Sequence, residues 1–270
     1  MRIGIVGVGL IGGSLGQALR ALGRSIQVVG VTRTADAAQQ ARAAGAVDEA
    51  STDSSVLDRA DIVVIATPIL QIPDVLDRIG HLVNSGAVIT DVASVKRPVR
   101  EWVRRIPEPG LFLGGHPVAG KAQSGVAASD PALFKDAPWI FTPLEFQTLR
   151  PFESWVELVT AIGARPRFLT PEEHDEQIAY LSHLAFTISS AYAETVTTNA
   201  DPTLGGTGYR GMTRLAEGDS AMYESIALVN HDALLRAIDQ FTSTLQRFRD
   251  RIERQDAVRD LFHVGGHASL

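Results

Sequence analysis

Residues 3–14, Ile-Gly-Ile-Val-Gly-Val-Gly-Leu-Ile-Gly-Gly-Ser, constrain the fold of this chain more than any other stretch. An apolar run leads into Gly7-x-Gly9-x-x-Gly12, and a helix-like segment follows from about Ser14 to Leu22. In this order of strand, turn and helix, the three glycines permit a tight turn, close approach of the backbone to a pyrophosphate, and close packing of the helix against the strand. The free N–H groups at the start of the helix favour negative charge. The segment therefore predicts a dinucleotide-binding unit, and the alternative is an ordinary glycine-rich turn.

Composition and charge limit the partners that this chain can have. The 270 residues, 45% hydrophobic and 21% charged, are typical of a folded enzyme with one large domain or two of ordinary size. A net charge of −6 disfavours a nucleic-acid or anionic-membrane surface, so neither partner is expected. The absence of cysteine excludes thiolate metal or redox sites, and no metal site is predicted. No apolar run reaches the ~18–20 residues of a membrane span, and a cytoplasmic location is expected.

Short apolar runs alternate with helical segments through the first half of the chain. This alternation is typical of an α/β fold with a parallel sheet and helices on its faces. The predicted strands are residues 3–6, 27–31, 61–66, 87–90, 111–113 and 139–142. The predicted helices between them are residues 14–22, 35–44 and 98–105. Residues 1–150 are therefore predicted to form a Rossmann-type dinucleotide-binding domain.

The second half of the chain, from Pro151, shows only helical patterns. Thr170-Pro171-Glu172-Glu173 has the sequence of a capping box and predicts the start of a helix that reaches about Asn199. Further helical segments are predicted from about Met212 and over about His231–Phe262. We expect residues 151–270 to form an all-helical domain that covers the cleft of the first domain and dimerises.

Polar or special residues follow five of the predicted strands. They are Gly7–Gly12, Thr32-Arg33, Thr67-Pro68, Asp91–Lys96 and His116. In an open parallel sheet, ligands bind beyond the carboxyl ends of the strands. This convergence predicts an active site for a small-molecule substrate at that edge.

The end of the second predicted strand indicates which cofactor binds. An NAD-specific fold places an acid there for the ribose 2′-hydroxyl, but this chain has Thr32-Arg33-Thr34. The Arg33 guanidinium suits a 2′-phosphate, to which Thr32 can add a hydroxyl. NADP is therefore the predicted cofactor. The alternative is a solvated arginine and a protein that does not discriminate between the two cofactors.

His116 is the candidate proton acceptor. It follows two glycines and precedes a proline, and imidazole is the side chain most readily poised to take a proton near neutral pH. Ser94 and Lys96, one strand earlier, are placed to hydrogen-bond the same substrate group. The alternatives are a structural loop histidine, a Ser94 that caps the next helix and a solvated Lys96.

Together these residues resemble the prephenate/arogenate dehydrogenase family of tyrosine biosynthesis. The matching segments are Gly7–Ser14, Asp91–Lys96, Gly115–Gly120, Ser182–Leu184 and Thr213–Ala216. The resemblance implies an oxidative decarboxylation in which hydride leaves the ring carbon bearing the 4-hydroxyl for the nicotinamide. A base removes the hydroxyl proton, and loss of the ring carboxylate as carbon dioxide makes the ring aromatic.

The resemblance also implies roles for individual residues. His116 is the base, Ser94 bonds the same hydroxyl, and Arg214 holds a substrate carboxylate. Further candidates on the substrate side are Arg210, His183, Lys121 and Tyr223, the last reaching into a neighbouring subunit of an intertwined homodimer. The cofactor-binding candidates are Gly7, Gly9, Leu10, Ile11, Gly12, Thr32, Arg33, Thr34, Thr67, Pro68 and Ser94. The alternative for Arg210 and Arg214 is a surface or interface ion pair.

Three departures from the family pattern bear on the substrate. Phe186 stands where many prephenate-using members have a second histidine, and Ala122 and Gly211 stand where acids are common. With Arg33, these replacements resemble the short NADP-dependent arogenate dehydrogenases, so arogenate is predicted over prephenate. Arogenate carries an ammonium group that needs an acceptor, and Lys121 would repel that group if it lay close.

Two other functions remain open at this point. The β-hydroxyacid dehydrogenase and imine reductase group also pairs a nucleotide-binding domain with a helical dimer domain, but its acid/base group lies on the long helix. A non-enzymatic NADP sensor would need Gly7–Gly12 and Arg33 but neither His116 nor Arg214. Replacement of His116 by Asn separates these functions.

Overall fold

The computed structural model describes residues 1–23, 25–121, 123–255, 259 and 261, with only the backbone of residues 83–85. Eight strands form one sheet in the order β3-β2-β1-β4-β5-β6-β7-β8. They are β1 (Arg2–Val6), β2 (Gln27–Val31), β3 (Glu49–Ser51), β4 (Ile62–Ile65), β5 (Val88–Asp91), β6 (Phe112–Pro117), β7 (Pro138–Thr142) and β8 (Arg165–Phe168). Neighbouring strands pair in parallel except β6 and β7, which are antiparallel.

Helices pack on the sheet, and after the last strand the chain forms helices only. They are α1 (Leu10–Ala21), α2 (Ala35–Ala43), α3 (Ile72–Ile79), α4 (Arg97–Trp102), α5 (Glu153–Ala161), α6 (Pro171–Ile178), α7 (Leu184–Asn199), α8 (Thr207–Thr213), α9 (Ser220–Val229) and α10 (His231–Glu253). A π-helical turn, Ala179–His183, joins α6 to α7. None of the described helices is long and apolar enough to cross a bilayer.

The core lies on both faces of the sheet because alternate strand residues point to opposite sides. In β4, Ile62 and Val64 join the hydrophobic cluster that includes Leu15 of α1, whereas Val63 and Ile65 join the cluster on the other face. Burial on both faces accounts for the continuous apolar runs that identified these strands in the sequence. The predicted α/β class and the helical second domain are confirmed.

The expectation that only helices follow Pro151 is wrong. After β7, α5 returns the chain to the sheet, and β8 pairs in parallel with β7. Three of the four residues of β8 are exposed, and the strand contains Pro166, so its sequence lacks the apolar pattern of a buried strand. The boundary predicted between residues 150 and 151 stays a prediction, and this strand favours a later one. The three-residue strand β3 was not predicted either.

The helical half follows its sequence signals at most positions. The capping box is confirmed: Glu173 N–H donates to Thr170 Oγ1 at 3.2 Å, and Thr170 N–H donates to Glu173 Oε2 at 2.9 Å. The predicted start at about Met212 is wrong, because α8 already begins at Thr207 within a glycine-rich stretch that resembled a loop. The predicted extension to Phe262 is wrong at its start, because α10 ends at Glu253 and Arg254 and Gln255 form a turn. Most of the residues that follow lie outside the described part of the chain.

Candidate active site

The carboxyl ends of five parallel strands meet at one edge of the sheet, as predicted. β1, β2, β4, β5 and β6 pair in parallel, so the residues at their ends lie along the same side. These residues are Gly7–Gly12, Thr32-Arg33, Thr67-Pro68, Asp91–Lys96 and His116. His116 is the penultimate residue of β6 and pairs with Ile140 of β7, so it lies on a strand and not in a loop.

The glycine turn has the shape that a pyrophosphate requires. Gly7 has φ +94°, and a Cβ there would lie 2.7 Å from the carbonyl oxygen of Ala66. A Cβ on Gly12 would lie 2.2 Å from the carbonyl oxygen of Gly7, whereas one on Gly9 would meet nothing within 4 Å. The side of Gly9 is thus open, and no side chain caps the start of α1. Leu10 and Ile11, both partly buried, begin that helix.

The residues beside this turn also fit a nicotinamide dinucleotide. Thr32 is buried and its Oγ1 donates to the carbonyl oxygen of Thr34 at 3.0 Å, while Arg33 and Thr34 are exposed. Thr34 Oγ1 accepts from Ala37 N–H and caps α2, so this hydroxyl is already engaged. Thr67 Oγ1 is buried without a partner in the described part of the chain, beside an exposed Pro68. When bound here, such a cofactor accepts a hydride.

A buried ion pair holds the strand that carries His116. The backbone register between β5 and β6 ends at Thr90 and Leu113, two residues before Gly115. Beyond that point, side-chain hydrogen bonds replace the backbone hydrogen bonds between the two strands. Gly115 N–H donates to Asp91 Oδ1 at 3.0 Å, and Lys96 Nζ donates to the Gly115 carbonyl at 2.6 Å. Lys96 Nζ also pairs with Asp91 Oδ2. Both polar groups of the residue before His116 are therefore fixed.

The structure decides against two of the alternatives from the sequence. Lys96 is 1% exposed and does not lie in solvent. Ser94 is partly buried and does not cap α4, because the N-cap position of that helix is Lys96 and no side chain caps it. Burial lowers the pKa of Lys96, and the carboxylate of Asp91 opposes that shift.

His116 is the outer member of a buried chain of three polar side chains. Its Nδ1 lies 2.9 Å from His174 Nε2, and His174 Nδ1 lies 2.7 Å from Asp175 Oδ1. Because a carboxylate only accepts, His174 carries its proton on Nδ1 and offers Nε2 as acceptor. His116 therefore donates from Nδ1, which leaves the lone pair of its Nε2 free. This is the arrangement of a general base oriented by a second group.

Electrostatics keep this base neutral and its carboxylate ionised. Burial, followed by the nearby His174 and Lys96, lowers the pKa of His116 well below its ordinary value. Burial also lowers the pKa of His174, against the hydrogen bond to Asp175. For Asp175, burial acts to raise the pKa, but hydrogen bonds from His174 and from the backbone N–H groups of Arg97 and Lys96 leave it lowered.

The predicted substrate residues lie in different environments. Lys121 is ion-paired with Asp130 at 2.9 Å. Arg214 and Arg210 are exposed, and Arg210 Nη1 donates to the carbonyl of Gly205 at 3.3 Å. Among the described residues no hydrogen bond or ion pair joins Arg214 or Arg210 to the buried chain. The roles of all three stay predictions.

Of the two further candidates, His183 lies close to the histidine chain, and Tyr223 contacts Ser182, the residue before His183. His183 is 2% exposed, within electrostatic reach of His174 and Asp175, and burial lowers its pKa to about 4. Tyr223 stacks on Phe186 of its own chain, with ring centroids 3.4 Å apart and planes at 8°. Burial raises the pKa of Tyr223, and a hydrogen bond with Ser182 opposes the shift.

The sequence reasoning missed His174, Asp175, Asn230 and Arg97. Asp175 accepts from Arg97 Nε at 3.3 Å, and Arg97 Nη2 donates to Asn230 Oδ1 at 2.9 Å. His174-Asp175 lies directly after the capping box, where polar residues are usually exposed. One signal was available, since His174 and Ile178 are spaced i, i+4 on the face that contains the apolar residues.

Comparison with known proteins finds relatives of both halves of the chain. Residues 15–169 match the family model described as "Prephenate dehydrogenase, nucleotide-binding domain", and residues 170–264 match "Prephenate dehydrogenase, dimerization domain". A prephenate dehydrogenase of Bacillus subtilis is 30% identical over 261 residues, covering 94% of this chain and 70% of the relative.

Two solved structures are similar over almost the whole chain. Synechocystis arogenate dehydrogenase superposes with a TM-score of 0.82 at 31% identity, covering 97% of this chain and 95% of the other. Prephenate dehydrogenase from A. aeolicus, in complex with hydroxyphenyl propionate and NAD+, superposes with a TM-score of 0.88 at 27% identity, with coverages of 97% and 93%. The chain is therefore a dehydrogenase that belongs to the prephenate/arogenate dehydrogenase family.

Proposed function

We propose that this enzyme oxidises arogenate to tyrosine and carbon dioxide, with NADP as the cofactor that would accept the hydride. The observation that carries the proposal is the chain Asp175–His174–His116, which ends in a free Nε2 lone pair at the carboxyl edge of β6. A base in this position suits a substrate that loses a hydroxyl proton as its ring carbon loses hydride.

Each residue then has a separate task in the reaction. His116 Nε2 takes the proton of the 4-hydroxyl, and its Nδ1–H keeps its hydrogen bond to His174. The positive charge that forms on His116 is stabilised through His174 by the ionised Asp175. Ser94 donates to the same oxygen, and Arg214 holds a substrate carboxylate. The electrons of the departing ring carboxylate complete the aromatic ring, and the phenolate oxygen that forms takes the proton back from His116.

Arg33 supports NADP as the cofactor. It lies two residues after the end of β2, it is exposed, and its sequence neighbours Thr32 and Thr34 are not acids. A guanidinium meets a phosphate in a charge-assisted and bidentate way. The Thr32 hydroxyl adds no support, because it donates its proton to the carbonyl oxygen of Thr34.

Two observations favour arogenate as the substrate. Phe186 packs against Tyr223, so an aromatic pair stands where many prephenate-using relatives have a histidine. The ion pair with Asp130 offsets the charge of Lys121, which reduces its repulsion of a substrate ammonium. Prephenate is the second candidate, because the relatives from B. subtilis and A. aeolicus carry that name.

The helical domain supports a homodimer. Apolar side chains that are about half exposed or more extend over α8, α9 and α10. They are Met212, Met222, Leu228, Leu235, Leu245 and Ile252. An apolar surface of this kind favours association, and the matching family model is that of a dimerisation domain. A molar mass of about twice 29.0 kDa by light scattering is the expected result.

Initial rates test the proposal directly. Arogenate and prephenate are each combined with NADP and NAD, and formation of reduced nicotinamide is followed by absorbance. The proposal predicts the highest kcat/KM for arogenate with NADP. A preference for prephenate would overturn the substrate assignment, and a preference for NAD would overturn the role of Arg33. No turnover in any combination, with NADP still bound, would overturn the proposed reaction.

A further inference from the structure

Asn230 lies at the junction of α9 and α10 and is completely buried. Its side-chain amide contacts three groups of different elements. Nδ2 lies 3.0 Å from the backbone carbonyl oxygen of Asp175 and 3.3 Å from His183 Nδ1. Oδ1 lies 2.9 Å from Arg97 Nη2. Asn230 therefore joins His183 to α6, the helix that carries His174 and Asp175.

The partners at both ends determine the orientation of this amide. A guanidinium can only donate, so the group that faces Arg97 is the amide oxygen. A backbone carbonyl can only accept, so the group that faces Asp175 is the NH₂. The same NH₂ group faces His183 Nδ1 with its remaining hydrogen. His183 Nδ1 is therefore an acceptor and carries no proton.

This contact leaves His183 with a defined proton and an unused donor. A neutral imidazole with an unprotonated Nδ1 carries its proton on Nε2. Burial lowers the pKa of His183 to about 4, in keeping with a neutral ring. Nε2 is buried and has no hydrogen-bond partner among the described residues. A buried N–H without a partner carries a desolvation cost that an incoming acceptor removes.

We propose that Asn230 is a positioning residue, which fixes the tautomer of His183 so that Nε2–H is presented as a neutral donor to an oxygen of the substrate. This inference rests on the proposed function for the identity of the acceptor. His116 and His183 then have opposite tasks, since one offers a lone pair and the other offers a proton. Asn230 determines which ring nitrogen of His183 carries the proton. Asp175 determines the same for His116, through its hydrogen bond to His174.

The tautomer is measurable without substrate or turnover. A long-range proton–nitrogen spectrum of the ¹⁵N-histidine-labelled enzyme separates protonated from unprotonated ring nitrogens, and His183→Gln identifies the signals of His183. We expect a protonated Nε2 and an unprotonated Nδ1. In Asn230→Asp, a carboxylate oxygen replaces the amide donor, so we expect the proton to appear on Nδ1. A protonated Nδ1 in the unsubstituted enzyme would overturn the inference.

A pair of substitutions tests the donor even if Asn230→Asp does not fold. The amide nitrogen of glutamine reaches the position of a histidine Nε2 and donates there without a tautomer, whereas leucine fills similar volume without a donor. We expect His183→Leu to lower kcat/KM about 10–100-fold and His183→Gln to retain most of it, with NADP affinity unchanged in both. Equal losses in the two variants would overturn the role of the donor.

The two experiments separate this inference from the proposed function. Failure of the unsubstituted enzyme to oxidise arogenate or prephenate would overturn the proposed function alone, because the nitrogen spectrum still reports the tautomer. If the Asn230→Asp variant folds, we expect its kcat/KM to fall by the same order of magnitude as that of His183→Leu. In the His183→Gln background we expect the same substitution to change kcat/KM less than 3-fold. Equal effects of Asn230→Asp in both backgrounds would contradict the positioning role.

Discussion

The proposed cofactor side and the proposed catalytic side of this site are built from different chemical groups. The cofactor side consists of backbone and small residues: Gly7 and Gly12 have no room for a side chain, and Gly9 faces open space. The catalytic side consists of buried charged and polar side chains, with His174 and Asp175 both at 0% exposure. The cofactor side should therefore be sensitive to added side-chain volume. The catalytic side should be sensitive to the loss of a hydrogen-bond partner or the gain of a proton.

This difference follows from what each side must recognise. A pyrophosphate is bound by N–H groups that every residue supplies, so only the shape of the chain matters. A proton acceptor must have a chosen protonation state, and that requires fixed neighbours. Buried ions such as Asp91 and Lys96 are stable only as a satisfied pair, and removal of one partner leaves an uncompensated charge.

The largest expected effect concerns His116. His116→Asn keeps a polar side chain but removes the proton acceptor, so we expect kcat to fall about 10²–10⁴-fold. NADP affinity should stay unchanged, since the glycine turn is separate. His81→Asn, on an exposed histidine, is the matched control and should retain full activity. Unchanged turnover in His116→Asn would contradict the assignment of His116 as the base.

The second effect is loss of stability in acid. The pKa of His183 lies at about 4 in the folded chain and near 6.5 in the unfolded chain. Between these values the unfolded chain binds a proton that the folded chain refuses, so the free energy of unfolding decreases as the pH falls. His183 alone accounts for a loss of about 3 kcal/mol across this window.

Urea unfolding at several pH values measures this effect. In His183→Gln the slope of the unfolding free energy against pH, between pH 6.5 and 4, should be smaller by about 1.4 kcal/mol per pH unit. The remaining slope includes the other buried histidines, His116 and His174, and carboxylates with a lowered pKa such as Asp175. Parallel curves for the two proteins would show that His183 is not buried in its neutral form.

The third effect concerns the choice of cofactor. In Arg33→Ser, loss of a charge-assisted contact with the 2′-phosphate should raise the KM for NADP about 10–100-fold and leave the KM for NAD nearly unchanged. Arg104→Ser, at an arginine with 75% side-chain exposure, is the control and should change neither value. An equal change in both KM values would mean that Arg33 does not read the phosphate.

The smallest effect sharpens the contrast between volume and charge. Gly9→Ala adds a methyl group that meets nothing in the protein, so the melting temperature should stay within about 2 °C. Because the same space is needed by the pyrophosphate, we expect the dissociation constant for NADP to rise about 10-fold. Gly110→Ala also adds a methyl to open space, away from the turn, and should leave the affinity unchanged. Unchanged affinity in Gly9→Ala would place the phosphates elsewhere.

The contrast also explains what the sequence could predict. Buried strands and the glycine turn are local patterns, so β2 was predicted with its observed bounds, and the capping box of α6 was predicted residue by residue. The strand β8 was missed because an exposed edge strand needs no apolar pattern. His174 and Asp175 were missed because their partners are distant in sequence: His116 lies 58 positions from His174, and Lys96 lies 79 positions from Asp175.

The pH dependence of kcat/KM in the unsubstituted enzyme and in His116→Asn tests the central claim most directly. The claim is that a neutral His116, oriented by His174 and Asp175, removes the substrate proton. It predicts a plateau at neutral pH and an acid limb with a pKa below the ordinary histidine value, because burial lowers the pKa of His116. In His116→Asn the residual rate should lose that limb. An acid limb that persists unchanged in His116→Asn would contradict the claim.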